Sequence, residues 1–252
     1  GAIPIENSVI VSLETMQTII ELDINNAMVK LEAGVILNDL NKTVEAENLF
    51  YPVDPASLNK CTIGGNISEN SGGPRALKYG VTRDYVIGLK GVWANGSPFD
   101  LGGKQIKNVA GYDLISLIVG SEGTLGVVTK VVLRLYPLPK TRYTSLAVTN
   151  DYQKVLDFLK ILEDAISNNL TGYELLWNNT YKQMVSEKTI YNKYLPDDFN
   201  YYLFVEYMGT DFENDYQKFE EVILGCIENK IIDDAVIGKD EKEQVNIWGI
   251  RE

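Results

Sequence analysis

Two clusters of small residues constrain the fold of this chain more than any other feature of its sequence. The first cluster is Thr62–Pro74 and the second is Gly120–Gly126. Glycine has no Cβ, so such segments let the main chain turn sharply and let a ligand approach it closely. Taken singly, each cluster is explained at least as well by turns on a β-rich scaffold. Together they make the first half of the chain the place to look for a binding site.

Polar side chains add hydrogen-bonding groups to the first cluster. Gly64 and Gly65 would bring a ligand against the main chain, and Asn66 and Asn70 would add donors and acceptors. Proteins cradle a diphosphate, or the polar edge of a ring, in this way. Neither cluster is a G-x-G-x-x-G motif between a strand and a helix, and neither is a P-loop. The pattern therefore predicts neither a Rossmann site nor a P-loop site.

Alternating apolar residues predict an antiparallel, strand-rich first half. We expect an amphipathic helix over Val35–Leu49 and a hairpin turn over Ala94–Ser97. In the strand that follows the second cluster, Lys130 and Arg134 lie on the face opposite the apolar one. The predicted strands are Ser8–Leu13, Ile19–Asp23, Ala27–Glu32, Tyr85–Trp93 and Val127–Tyr136.

The pattern changes after Pro137-Leu138-Pro139, which predicts a domain boundary near Lys140. Beyond it, strands alternate with amphipathic helices in the order of a ferredoxin-like unit. The fold class is therefore predicted as α+β, with domains at 1–140 and 141–252. The predicted strands are Thr144–Val148, Gly172–Trp177, Tyr201–Met208 and Ala235–Gly238, and the predicted helices are Tyr152–Ile166, Asn178–Glu187 and Asp215–Glu228.

Composition excludes several classes of function. The chain has no histidine, which excludes a Ser-His-Asp triad, a Cys-His pair and a histidine-ligated metal. A formal charge of −12 disfavours nucleic acid as a partner. No apolar run reaches the roughly 20 residues of a membrane helix, and two cysteines are too few for a disulfide framework. We expect a cytoplasmic protein without a metal, whose chemistry depends on a bound cofactor.

The order and spacing of short strings along the chain resemble the FAD-binding domain of the vanillyl-alcohol oxidase (PCMH-type) superfamily. Within it, the sequence is most similar to the catalytic subunit of glycolate oxidase and to D-lactate and D-2-hydroxyglutarate dehydrogenases. The strings are Asp54–Ser57, Cys61–Asn66, Asn70–Gly73, Lys78–Gly80, Gly111–Leu114 and Gly120–Thr129. The resemblance implies the second subdomain of a PCMH-type FAD-binding domain, followed by a partial ferredoxin-like cap domain.

The resemblance also implies roles for individual residues. FAD would be the cofactor, and Gly111–Leu114 would pack a helix beneath its site. Arg251, within Trp248–Glu252, would bind a substrate carboxylate, since a guanidinium matches a carboxylate bidentately. No catalytic residue is assigned. The residues implied to bind the cofactor are Asp54, Pro55, Ala56, Ser57, Thr62, Ile63, Gly64, Gly65, Asn66, Glu69, Asn70, Ser71, Gly72, Gly73, Glu122, Gly123, Thr124, Leu125, Gly126, Val127 and Val128.

The function implied is FAD-dependent oxidation of a small D-2-hydroxy acid, with electrons passing to an electron-transfer flavoprotein or another redox subunit. The family carries a pyrophosphate-binding loop before the position of Gly1 and a histidine-containing metal segment after that of Glu252, so the chain is expected to be truncated at both ends. Two alternatives stay open: a remnant that folds without turnover, and another flavin-dependent oxidase of the superfamily. An open sheet edge would also permit a homodimer.

Overall fold

A computed structural model describes residues 5–186 and 191–251. The chain divides into two compact bodies. Within the described ranges, the first contains the residues up to Arg75 together with Tyr79–Leu138. The second contains Ala76–Lys78 and the residues from Pro139 onward.

The first body is built on a five-stranded antiparallel sheet. The elements up to Pro137 are β1 Ile19–Asp23, β2 Met28–Glu32, α1 Leu37–Glu45, β3 Leu49–Phe50, α2 Ile63–Glu69, α3 Ala76–Tyr79, a 3₁₀ turn Thr82–Asp84, β4 Val86–Trp93, β5 Pro98–Gly102, α4 Leu114–Ile118, β6 Gly126–Arg134 and β7 Tyr136–Pro137. The strands of the sheet run in the order β1-β2-β6-β4-β5, and β3 pairs separately with β7.

One face of this sheet packs on the helices and forms the core of the first body. Leu31, Leu89 and Leu133 come from three neighbouring strands and are almost fully buried. Leu37, Leu40 and Val44 recur at helical spacing on α1, and Ile63 and Ile67 do so on α2. The opposite face of the sheet is polar, as the alternation along each strand requires.

The second body has the ferredoxin-like arrangement. Its elements are β8 Thr141–Thr149, α5 Tyr152–Ile166, β9 Leu170–Trp177, α6 Asn178–Met184, β10 Tyr201–Gly209, α7 Asp215–Glu228, β11 Asp234–Ile237 and α8 Glu241–Gly249. The antiparallel sheet has the order β11-β8-β10-β9, with α5 and α7 on one face and α8 on the other.

A buried carboxylate ties α7 to this sheet. Asp215 accepts hydrogen bonds of 2.5 Å from the hydroxyls of Tyr207 on β10 and Thr141 on β8, and one of 2.9 Å from the Asp211 amide. Burial raises the pKa of the Tyr207 hydroxyl above its ordinary range. Burying a carboxylate is costly unless its oxygens are satisfied, and these three donors satisfy them.

The α+β class and the ferredoxin-like order predicted from the sequence are confirmed. β1, α5 and α7 match their predicted bounds residue for residue. The helix predicted over Asn178–Glu187 is found as α6, although Glu187 lies outside the described residues. The pattern gave no indication of α2, α4 and α8.

The predicted strand Ser8–Leu13 is wrong. No strand forms there among the described residues, and the side chains of Val9, Ile10 and Val11 are between 68% and 89% exposed. A strand needs a hydrogen-bonded neighbour, and β1 pairs with β2 alone. Residue preference without a pairing partner does not make a strand.

Replacing Tyr207 by Phe removes a buried hydroxyl from Asp215, so we expect a loss of about 1–3 kcal/mol in unfolding free energy. Tyr216→Phe is the matched control, because the Tyr216 hydroxyl donates to Glu220 at 3.0 Å on a side chain that is 40% exposed. The control should change stability by less than about 0.5 kcal/mol. Denaturant titration monitored by circular dichroism measures both, and equal losses would contradict the assignment.

Adjacent glycines in α2 should respond differently to alanine. A Cβ at Gly64 would lie 2.8 Å from the Ala33 Cβ and 3.0 Å from its carbonyl oxygen, whereas one at Gly65 would meet only the Thr62 Oγ1 at 3.3 Å. We expect Gly64→Ala to lower unfolding free energy by about 1–3 kcal/mol through overpacking. Gly65→Ala should be close to neutral, because alanine favours the helix. Thermal and urea unfolding test the difference, and similar midpoints for the two variants would count against it.

Candidate functional site

The first glycine cluster begins as a helix that rests on the end of β2. The Ile63 and Gly64 amides donate to the carbonyls of Val35 and Ala33, at 2.9 and 2.7 Å. The Gly65 amide donates to the Thr62 hydroxyl, which caps α2, at 3.1 Å. The N–H groups of these three residues are therefore already bonded within the protein, so main-chain donors for a ligand must come from other residues of the cluster.

The second cluster docks on the C-terminal end of α2. The Gly120 amide donates to the Ile67 carbonyl at 2.9 Å, and the Glu122 amide donates to the Ser68 carbonyl at 2.8 Å. Carbonyls in the last turn of a helix have no partner within the helix, so the loop satisfies them. Gly120 and Gly123 have φ values of +87° and +74°, in the left-handed region that favours glycine. The tertiary structure thus brings the two sequence clusters together.

Arg83 locks this junction from the side, a role that the sequence did not suggest. Its Nη2 donates to the Val119 carbonyl at 2.7 Å, and its amide donates to the Asn70 Oδ1 at 2.9 Å. Asn70 ends α2 in the left-handed conformation, with φ +53°. Arg83 follows the Lys78–Gly80 string, so proximity to that string was the only signal available.

The Asp54–Ser57 segment reaches the same region through the end of the first cluster. Arg75 pairs with Asp54, Nη1 to Oδ2 at 3.1 Å. A Cβ at Gly73 would lie 2.0 Å from the Asp54 carbonyl oxygen, so the two backbones touch and only glycine fits. All three cofactor-binding segments predicted from the sequence therefore belong to one neighbourhood, formed by the first body.

Several donors remain for a ligand in this neighbourhood. In the described part of the chain, the N–H groups of Gly72, Gly73, Gly123 and Leu125 donate to no protein acceptor. The Asn66 Nδ2 is buried and likewise has no acceptor within residues 5–186 and 191–251. A Cβ at Gly123 would have no neighbour within 4 Å, so the main chain is accessible there. These residues fit a group rich in hydrogen-bond acceptors, such as the phosphates and ring edge of FAD.

The predicted residues differ in how they could act. Ile63 and Val128 belong to the apolar core, so they support the site from below. Gly64 and Asn66 are also buried. Eight others are exposed: Ala56, Ser57, Gly65, Glu69, Glu122, Gly123, Thr124 and Val127. The remaining nine are half-buried: Asp54, Pro55, Thr62, Asn70, Ser71, Gly72, Gly73, Leu125 and Gly126.

A cavity of about 540 Å³ lies beside this junction, in the same body. Arg83, Asp113 and Arg134 contribute to its lining. Asp113 begins α4 by accepting a 2.9 Å hydrogen bond from the Ser116 amide, and that bond holds the pKa of the Asp113 carboxyl below its usual range. Tyr112 is 95% exposed.

Arg251 lies in the second body, just after α8. Its Nε contacts the Glu174 Oε2 on β9, and its guanidinium lies 5.9 Å from the ring centroid of Trp248. The Trp248 indole in turn donates to the Thr144 hydroxyl at 3.1 Å. The Arg251 side chain is about one-fifth exposed. Its partner Glu174 was not singled out from the sequence, because it lies far from Arg251 along the chain.

No helix within the described ranges combines the length and the apolar character required to cross a membrane.

Two protein-family models match the chain, one in each half. The first, an FAD binding domain, matches residues 1–102. The second, the C-terminal domain of FAD linked oxidases, matches residues 138–252. The first match contains the Asp54–Gly73 segment and the second contains Arg251.

Curated relatives carry the names expected from the resemblance. The glycolate oxidase subunit GlcD of Bacillus subtilis is 53% identical over 59% of this chain and 32% of its own length. A mitochondrial D-2-hydroxyglutarate dehydrogenase of Arabidopsis thaliana and a D-lactate dehydrogenase of Anaerostipes hadrus are each 32% identical over the whole chain. This chain covers 45% and 53% of those two proteins, so it spans about half the length of the relatives that it matches throughout.

Solved structures support the fold. An alkyldihydroxyacetonephosphate synthase superposes with a TM-score of 0.72 at 17% identity, covering 94% of this chain and 46% of that one. At this identity the likeness bears on the fold alone. The two family models together show that the chain carries an FAD binding domain and the C-terminal domain of FAD linked oxidases, and both domains indicate FAD as the cofactor.

Proposed function

We propose that this chain is part of an FAD-dependent oxidoreductase that oxidises a small D-2-hydroxy acid, of the glycolate, D-lactate or D-2-hydroxyglutarate type. The observation that carries the proposal is the docking of Gly120 and Glu122 on α2, which gathers the glycine-rich segments around one accessible stretch of main chain. The names of the relatives support the substrate class. We also propose that residues 1–140 form the FAD-binding domain and 141–252 the cap domain.

The residues of the first body would hold the cofactor chiefly through the main chain. The amides of Gly72 and Gly73 would donate to one part of FAD, and those of Gly123 and Leu125 to another. The Asn66 amide would gain an acceptor for its buried Nδ2. Main-chain donors suit a polyanionic ligand because successive N–H groups direct their partial positive charge towards it.

When bound, FAD would accept the hydride from the hydroxyl-bearing carbon of the substrate. Arg251 would bind the substrate carboxylate and so fix the orientation of that carbon. Glu174 contacts the Arg251 Nε, so it would hold the guanidinium in one orientation before substrate arrives. Trp248 would limit its movement from the other side. We assign no base for the hydroxyl proton to this chain.

The relative named as a subunit supports a proposal about partners. Electrons would leave to an electron-transfer flavoprotein or to another redox subunit, and a homodimer is compatible with this scheme.

We propose a cytoplasmic location because Cys61 and Cys226 are both free thiols, as is usual in reducing compartments.

A second candidate is a non-catalytic remnant that folds without turnover. A third is another flavin-dependent oxidase of the same superfamily. The second candidate predicts FAD binding without substrate oxidation, or no FAD binding at all, and the third predicts oxidation of an alcohol without a carboxylate.

Titration with FAD tests the cofactor site. Gly123→Ala places a methyl group on the accessible main chain, so we expect FAD affinity to fall by about tenfold or more. Gly96→Ala is the matched control: Gly96 also has a positive φ and an open Cβ position, but it lies in the turn between β4 and β5. Alanine at either position introduces a backbone strain of roughly 1–2 kcal/mol. The two variants therefore differ in whether the added methyl group lies at the proposed FAD site.

Absorbance of the flavin band and quenching of flavin fluorescence measure the binding. A wild-type chain that ignores FAD would overturn the proposal for this chain and leave its family membership standing. If both alanine variants lowered FAD affinity equally, Gly123 would not belong to the FAD site.

Anaerobic bleaching of bound FAD by D-lactate, glycolate or D-2-hydroxyglutarate tests the reaction. Arg251→Lys should raise KM by about tenfold with a smaller effect on kcat, because an ammonium cannot bind a carboxylate bidentately. Arg142→Lys is the control, since Arg142 pairs with Glu206 in the same body, Nη2 to Oε1 at 2.7 Å, and we give it no role. An unchanged KM for Arg251→Lys would contradict its assignment, and FAD binding without bleaching would favour the remnant.

A further inference from the structure

The polar face of the five-stranded sheet contains a second cavity, of about 320 Å³, that the proposed function does not use. Two glycines, Gly88 within β4 and Gly103 just after β5, help to line it. A Cβ at Gly103 would meet nothing within 4 Å, so the lining is open there. The volume is at the lower end of the range for small-molecule sites.

A lysine next to the cavity connects the two edges of the sheet. β1 and β5 are the outermost strands, and in a flat sheet they would lie about 19 Å apart, at roughly 4.8 Å for each step between strands. Lys104, two residues after β5, nevertheless contacts Glu21 on β1 and lies 2.9 Å from the Asp23 Oδ2. The sheet must therefore coil strongly, which makes its polar face concave around the cavity.

Charge on this concave face is mostly positive. Four lysines and two carboxylates line the cavity, which leaves two positive charges in a chain of net charge −12. The lining charges are Lys30, Lys90, Lys104 and Lys130, with Glu21 and Asp100. This local positive charge would attract an anion, whereas the net negative charge of the whole chain would repel one.

Among the described residues, two of these lysines form no ion pair, although each stands opposite a carboxylate in the sheet: Lys30 opposite Glu21 and Lys130 opposite Glu32. Lys90 forms an ion pair with Asp100 at 2.5 Å. Glu21 lies directly opposite Lys30 in the β1–β2 register, but it forms its ion pair with Lys104. In the described part of the chain, Lys30 and Lys130 form no ion pair.

Strand register adds a repulsion that an anion would remove. Lys90 and Lys130 are direct cross-strand partners on β4 and β6, an arrangement that is destabilising for like charges. Glu32, across from Lys130 on β2, accepts a 3.1 Å hydrogen bond from the Thr18 amide. A bound anion would satisfy Lys30 and Lys130 and relieve the opposed pair.

We infer that this concave face is a binding site for a phosphate-bearing small molecule, distinct from the FAD site. Lysine ammonium groups are compact point charges that surround a tetrahedral phosphate from several directions, whereas planar carboxylates favour arginine. The inference does not depend on the proposed function, because the lining residues are separate from the FAD-binding segments.

Isothermal titration of the full chain with pyrophosphate, and with inorganic phosphate alone, tests the inference. We expect pyrophosphate to bind more tightly than phosphate, to lose affinity as salt is raised, and to raise the midpoint of thermal unfolding. Lys30→Gln/Lys130→Gln should weaken pyrophosphate binding by about tenfold or more while leaving FAD affinity unchanged.

The control is Lys42→Gln/Lys160→Gln, which removes the same charge from two exposed helical lysines that form no ion pair with any described residue. It should change pyrophosphate affinity by less than about twofold. Circular dichroism confirms that both double variants fold. Absence of pyrophosphate binding by the wild-type chain would overturn the inference. Equal weakening by the two variants would also overturn it, since it would indicate general charge attraction without a site.

Discussion

The candidate site depends on the hydrogen bonds between the second glycine cluster and the C-terminal turn of α2. That helix has only seven residues, and such a short helix is marginal without tertiary contacts. The amides of Gly120 and Glu122 donate to the Ile67 and Ser68 carbonyls in the last turn of the helix, where intrahelical partners run out. Without this contact, the loop that begins β6 and the segment that follows α2 would have no reason to lie side by side.

Close backbone packing transmits that arrangement to the rest of the first body. Gly64 lets α2 rest on the end of β2, and Gly73 lets the following segment touch Asp54. In each case a side chain larger than hydrogen would meet main-chain atoms, which cannot move aside cheaply. The glycines of the first cluster therefore act mainly as packing residues, and the donors left for a ligand come from Gly72, Gly73 and the second cluster.

Ion pairs play different parts in the two bodies. In the first, Lys104 joins the two edges of the coiled sheet and thereby leaves Lys30 without its cross-strand partner. In the second, Glu174 holds Arg251 near Trp248. Ion pairs that remain accessible to solvent contribute little to stability, and both pairs are at least partly accessible, so their main effect is on the positions of the side chains that they join.

The sequence by itself determined much of this protein. Apolar periodicity was enough for α5, α7 and the ferredoxin-like order, because each signal lies within a single segment. The strings between Asp54 and Thr129 were enough for the family and its cofactor. Ser8–Leu13 shows the limit, since a strand requires a partner that no local pattern supplies.

Only the tertiary structure decided which groups are available for binding. The amides of Ile63, Gly64 and Gly65 are consumed by neighbours, Arg83 bridges Asn70 and Val119, and the lysines of three strands gather on one concave face. These outcomes depend on contacts between residues far apart in the chain and on how a sheet coils. Residue type fixes what a group can do, but the packing of distant segments fixes whether it is free to do it.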